Sequence, residues 1–234
     1  MPISPSGRRW RRRFRPHDAA LLTLPFGAFV TVWTILAMNI ISPGPNVLNT
    51  ITTAMGSGRA AGLASALAVG LGIGIWCLAM SLGMAAMFRL LPLAETAMTL
   101  VAAALLGYFA ARYLRAAFRS APDTSLVGRG GLGLGAAFLR SLSINATNPK
   151  ALTTWIAILG IFPTAEARPG DIALLTFGAC VISLTIHTLY ALAFSTPAAG
   201  RAYRRAAPVI SGLVGLFFLG FAARLALPLL YAGF

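Results

Sequence analysis

The chain has 234 residues, 58% of them hydrophobic and only 10% charged, and its mean hydropathy is +0.80. A soluble domain carries about 25% charged residues, and a chain this poor in charge cannot cover itself with polar surface; composition excludes an ordinary soluble globular protein and makes lipid the solvent. The net charge of +14 comes from 18 arginines and one lysine against five acids, yet the arginines stand at the ends of apolar runs, where they meet headgroups and set orientation, and with no aromatic-basic motif beside them no nucleic-acid partner is expected.

In chain order, residues 1–21 form a basic tail with six arginines between Arg8 and Arg15. The tail resembles a signal peptide, but the apolar run from Leu21 is too long for one and no small-residue cleavage site ends it. A disordered tail accounts for it, as does a start codon assigned upstream of a true start near Leu21. Segments free of Asp, Glu, Lys and Arg then cover Ala19–Gly58, Ala60–Phe88, Thr96–Ala111, Ala151–Ala165, Ile172–Gly200 and Ala206–Ala223. They predict helices at about 22–42, 61–88, 94–117, 132–162, 170–195 and 207–231, each long enough to span a bilayer. The expected fold is therefore all-α: one domain over 22–231, a polytopic bundle of six transmembrane helices.

The odd-numbered loops and their flanks carry Arg59, then Arg112, Arg115, Arg119, Arg129 and Arg140, then Arg201, Arg204 and Arg205. The even-numbered ones hold Arg89 and Arg168 with Glu95, Glu166 and Asp171. The positive-inside rule places the odd loops in the cytoplasm and both termini outside, against the pull of the basic tail.

The second helix repeats Gly62, Ala66, Gly70 and Gly74 at every fourth position, a spacing that lets helix backbones touch. Glycine-rich faces of this kind allow a homodimer. Cys77 and Cys180 each lie in an apolar run without a CxxC pattern, so neither a redox pair nor a metal site is expected, and no cofactor is implied.

Two places break the apolar pattern. The first is Ser42-Pro43-Gly44-Pro45-Asn46 and the second is Asn145-Ala146-Thr147-Asn148-Pro149-Lys150. Proline removes a backbone donor and clashes with the preceding turn. The carbonyls so freed, and the amides of Asn46, Asn145 and Asn148, must face a lumen or another helix, since lipid satisfies neither. Pro45 and Pro149 stand 104 positions apart, and Cys77 and Cys180 stand 103 apart. Each break opens a three-helix half, and three helices per half require the halves to be inverted repeats. Interrupted helices at matching positions point to a substrate site at the repeat interface. Pro43, Gly44, Pro45, Asn46, Asn145, Asn148, Pro149 and Lys150 are the candidate substrate-binding residues. His187, the only histidine inside a span, is the candidate for proton coupling, with a bond to Ser183 or Thr185 as its structural alternative. Lys150 either attracts a substrate carboxylate or snorkels. Trp76, Trp155 and Tyr190 are sized to line a cavity or pack at an interface, and Thr147, Thr153 and Thr154 offer hydroxyls unless these bond back along the helix.

The Pro43-Gly44-Pro45 triplet, Gly58-Arg59-x-x-Gly62, and Asn145-x-x-Asn148-Pro149-Lys150 with Pro163 beyond it together resemble the signature segments of the LysE amino-acid exporter family, over about residues 22–231. The resemblance implies six helices in a bacterial inner membrane and efflux of amino acids or related small zwitterions, driven by the proton gradient. Many members carry Asp where this chain has Asn46, and a Tyr where it has Leu105. An enzyme is not expected, because no nucleophile–base set or metal cluster can be assembled. The remaining alternative is an accessory membrane subunit without transport of its own.

Overall fold

The computed structural model describes residues 22–91, 93–118 and 130–231. The basic tail, and Arg119 and Arg129 of the third expected loop, lie outside the described residues. Proline sets most of the helix starts. α2 (Pro45–Leu90), α5 (Pro149–Leu159), α6 (Pro169–Ala193) and α7 (Pro197–Tyr231) all begin on one, and α1 (Phe26–Ile41) follows Pro25. A missing N–H costs nothing in a first turn, where no carbonyl of the helix would accept it. α3 (Leu93–Phe118) and α4 (Leu134–Ala146) complete the fold, with no strand among the described residues. Four of these helices contain stretches long and apolar enough to cross a membrane: Pro45–Phe88, Thr96–Phe118, Pro169–Ala193 and Ala198–Leu227.

α2 is two helices in one. Gly58 has φ 87° and ψ 168°, outside helical geometry and open only to glycine at little cost. The Thr50 hydroxyl lies 3.1 Å from that of Ser65, whereas in a straight helix fifteen residues span about 22 Å. The chain therefore doubles back at Gly58 into limbs 45–57 and 59–90. Across this hairpin a side chain on Gly62 would sit 2.6 Å from the Ala54 Cβ and 3.1 Å from that of Ala191; only glycine fits. The sequence reading leaves 43–60 as a connection, because its prolines, glycines and Arg59 resemble loop. In the structure one limb of helix fits between the two breakers, and its Asn49, Thr50 and Thr53 face inward, all buried. The Asn49 amide donates to Ser141 Oγ at 2.8 Å, tying this limb to α4.

The small-residue stripe of the second limb faces α6. Added side chains would meet Leu184 from Gly70 and Cys180 from Gly74. α2 and α6 pack together more extensively than any other pair, followed by α3 with α7 and α2 with α4. The glycine-rich face that suggests a homodimer is thus covered within one chain. Both cysteines are free thiols at this seam, where Thr176 of α6 donates to Cys77 Sγ at 3.5 Å. Elsewhere Trp33 lies over Gly178 and donates to the Leu175 carbonyl at 3.2 Å.

The two ends of the bundle differ. At one end the turns near Gly58, Gly131 and Ser195 meet: Leu132 N donates to Ser57 Oγ at 3.1 Å, and Arg59 Nε to Ser195 Oγ at 3.1 Å. These are the arginine-bearing odd loops. At the α6 N-terminus the fully buried Asp171 accepts from Thr23 N at 3.0 Å, Thr23 Oγ1 at 2.6 Å, Leu24 N at 3.2 Å and Arg168 N at 2.9 Å, which anchors the start of α1. α7 begins at Pro197, ten residues before the expected start. Thr196 Oγ1 accepts from Ala199 N at 3.2 Å as a cap, and the arginines that marked a loop ride on the first turns of the helix. α5 ends at Leu159, short of Pro163.

The hairpin yields a direct test. Gly62→Leu forces a side chain into the Ala54 backbone, and overpacking of this kind costs about 1–3 kcal/mol. Thermal melting in detergent is expected to fall clearly for Gly62→Leu and to stay at the wild-type value for Gly83→Leu, where an added Cβ meets nothing within 4 Å.

Candidate functional site

The two interruptions resemble each other locally. α1 stops at Ile41, Ser42 and Gly44 are extended, and α2 restarts on Pro45. α4 stops at Ala146, Thr147 and Asn148 are non-helical, and α5 restarts on Pro149. Neither α1 with α2 nor α4 with α5 packs side by side to any extent.

A helix end leaves its last carbonyls without partners, and inside an apolar bundle each must find one. At the end of α1 they do. The Met38 carbonyl accepts from Ser42 N at 3.3 Å and the Ile41 carbonyl from Tyr190 OH at 2.8 Å. The Asn39 carbonyl accepts from Ser42 Oγ at 2.6 Å and from Lys150 Nζ at 2.8 Å. Lys150 Nζ also donates to the Ser42 carbonyl at 3.2 Å and to Ser42 Oγ at 2.7 Å. Ser42 Oγ is 2.7 Å from the Tyr113 hydroxyl, and the ammonium stands 5.5 Å from the centre of the Tyr113 ring, a cation–π distance. Lys150 therefore points inward instead of snorkelling. Gly44 makes room for it: a Cβ there would lie 3.0 Å from Nζ and 3.2 Å from Cδ.

The second break is built differently. Asn148 caps α5, its Oδ1 accepting from Lys150 N at 3.0 Å, so the residue before the proline positions the lysine after it. The threonine hydroxyls are spent on their own helices: Thr147 on Ser143 O at 2.9 Å, Thr153 on Pro149 O at 2.9 Å and Thr154 on Lys150 O at 2.5 Å. The α2 start, by contrast, has no side-chain cap.

Both breaks open on one small cavity of about 30 Å³, room for about one water molecule. Gly44, Pro45, Asn46, Asn148, Lys150 and His187 line it, with no carboxylate among its lining residues. Four lining residues carry buried polar atoms without a partner: Asn39 Nδ2, Asn46 Oδ1, Trp155 Nε1 and His187 Nε2. Such atoms are costly unless something else satisfies them. His187 Nδ1 lies 2.9 Å from the Ser183 carbonyl and 3.4 Å from its hydroxyl. A carbonyl only accepts, so Nδ1 carries the proton and Nε2, in the neutral ring, presents a lone pair to the cavity.

Of the residues expected from sequence, Pro43, Asn145 and Pro149 do not line this cavity. Asn145 lies fully buried against Gly72, its carbonyl accepting from Trp76 Nε1 at 3.2 Å and its amide without a partner. The sequence reading misses Asn39 and Tyr113. Asn39 was findable as a lone amide in the apolar run of α1. Tyr113 was not, because a tyrosine beside Arg112 reads as a headgroup-level residue. No group of three metal-ligating side chains occurs among the described residues.

Residues 37–228 match the family model described as LysE type translocator. Among curated proteins, the chain is 27% identical to the threonine efflux protein of Salmonella typhi over 84% of its own length and 96% of that protein's. It is 26% identical to the threonine efflux protein of Escherichia coli K12 over the same shares. It is 28% identical to the leucine efflux protein of Salmonella choleraesuis over 83% of its own length and 93% of the relative's. No solved structure matches the chain significantly. With its proline-broken helices, its inward lysine and a family match over most of its length, the chain belongs to the LysE type translocators.

Proposed function

We propose that this protein is a secondary exporter of amino acids or closely related zwitterions, a multi-pass protein of the bacterial inner membrane driven by the proton gradient. The observation that carries the reading is the meeting of opposite helix ends at one cavity. The uncapped N-terminus of α2 presents positive partial charge, and the C-terminal end of α1 presents carbonyls already gathered around a cation, the Lys150 ammonium. An amino acid needs this pair: amides for its carboxylate, carbonyls for its ammonium. The relatives named for threonine and leucine efflux point to the same solute class.

In this reading α1 and the first limb of α2 run end to end as one interrupted span. Alone, 16-residue α1 reaches about 24 Å, short of the roughly 30 Å hydrocarbon core. α4 with α5 forms the matching interrupted span. The second limb of α2, then α3, α6 and α7 supply the other four, giving six spans in one domain over 22–231. The packing supports two inverted repeats: α2 pairs with α6, α3 with α7, and the first limb of α2 with α4, each joining equivalent members of the halves. Gly44, Pro45, Asn46, Asn148 and Lys150 form the substrate site, Pro43, Asn145 and Pro149 hold its two breaks open, and His187 Nε2 handles protons at its wall.

Cells expressing the protein and fed dipeptides are expected to excrete one or a few amino acids selectively, and to stop when the proton gradient is collapsed. An unchanged amino-acid profile, with the protein located in the membrane, would overturn the reading in favour of an accessory subunit. A second prediction concerns the α5 cap. Asn148→Ala is expected to cost about 1 kcal/mol of stability and to abolish efflux at normal expression, because Lys150 loses its register; Asn148→Ser, which keeps an uncharged accepting oxygen at the cap, is expected to retain most of it. Efflux rates normalised to membrane-inserted protein separate the two.

A further inference from the structure

An ammonium has three N–H donors, and Lys150 has spent all three on Asn39 O, Ser42 O and Ser42 Oγ. None is left for a substrate carboxylate, so the simplest role for an intramembrane lysine near an amino-acid site fails on geometry. The atoms it holds are the ones that the exporter reading assigns to the substrate's own ammonium. Both cations have the same donor count and the same need for oxygen, and the break supplies one set.

We propose that Lys150 is a tethered competitor of the substrate: its ammonium fills the substrate's ammonium subsite, and an amino acid binds there only as Lys150 gives up a proton. The inference rests on the exporter reading above. The step balances simply. Lys150 passes from –NH3+ to –NH2 and releases one proton, the incoming ammonium takes the three oxygens, and the subsite keeps one positive charge throughout. Two ammoniums cannot share the subsite, because like charges at that separation repel strongly away from water.

The surroundings favour the exchange. No carboxylate lines the cavity to hold Lys150 charged once its oxygens are taken. On α3 the facing groups are the Tyr113 ring and hydroxyl, while the neighbouring Arg112 is exposed. On α6 they are His187 and Tyr190, the latter bonded to Ile41 O. The facing residues of α1 and of the first limb of α2 are Asn39, Ser42 and Asn46, none of which titrates. The His187 Nε2 lone pair, buried in the cavity wall, is the basic nitrogen available to relay the departing proton. On the return leg a proton restores the lysine to the carbonyls, which closes the empty site. One proton then moves inward for each neutral zwitterion moved out, so the cycle carries net charge and responds to membrane voltage as well as to the pH gradient.

The test is calorimetric titration of the purified full chain with L-threonine and L-leucine, then with the other standard amino acids one by one, in two buffers of different ionisation enthalpy. Binding is expected to release close to one proton per amino acid and to tighten nearly tenfold per pH unit while Lys150 remains protonated. Lys150→Gln is expected to lose the proton release and to flatten the pH dependence. Wild-type binding without proton release, or with an affinity independent of pH, would overturn the inference and leave the exporter reading intact; this arm needs no variant. If no amino acid binds and none is exported, the exporter reading falls and the inference falls with it.

Discussion

The structure depends on what happens to the carbonyls at the end of α1. Pro43 and Pro45 forbid the helix from continuing, and the apolar surroundings forbid leaving its last acceptors bare. Ser42, Tyr190 and Lys150 each supply donors. These residues come from three distant parts of the chain, so the break in α1 fixes the relative positions of α1, α5 and α6. Gly44 is required because the lysine passes against it, and Asn148 because the lysine must be aimed. A conformation in which the lysine withdraws would leave α1 with unsatisfied carbonyls. Something else must then take them, and in the proposed cycle the substrate does.

The packing around the site follows from glycine. α2 approaches α6 through Gly70 and Gly74 and turns on Gly58 and Gly62. Close backbone approach replaces the hydrophobic driving force that lipid cannot supply. Polar side chains then join the surfaces that meet inside: Asn49, Ser65 and Ser141 bond across three helical segments. This small polar layer is fully enclosed, which suits a bundle whose outside carries exposed leucines and isoleucines such as Ile75 and Leu82.

Much of this was legible in the sequence. Charge-free runs located the helices, and the proline-amide clusters located both breaks. Gly44, Pro45, Asn46, Asn148 and Lys150, chosen from the two proline–amide breaks, and His187, chosen as the histidine inside a span, line one cavity. The failures have physical causes. The limb 45–57 was hidden because a short helix between two breakers carries the composition of a loop. The start of α7 was hidden because arginines within a membrane helix can reach the headgroups along its first turns. The orientation of Lys150 was hidden because no local pattern tells an inward lysine from a snorkelling one; that depends on carbonyls 108 to 111 residues away. The mutual position of Asn39 and Tyr113 was likewise beyond any local signal.

Similar as the two proline breaks are in sequence, the fold gives them opposite characters. Asn148 caps the helix that follows it and leaves that end electrically satisfied. Asn46 stands one residue past Pro45 and caps nothing; α2 starts without a side-chain acceptor, and the Asn46 Oδ1 is itself unpartnered. One break is therefore finished and the other is open. An anion entering the cavity gains most at the open one, at the start of α2, while the carbonyls three and six residues upstream are held by a cation on the finished one. The fold brings the two ends together, and in the proposed cycle the difference between them gives each end of a zwitterion a different place to go.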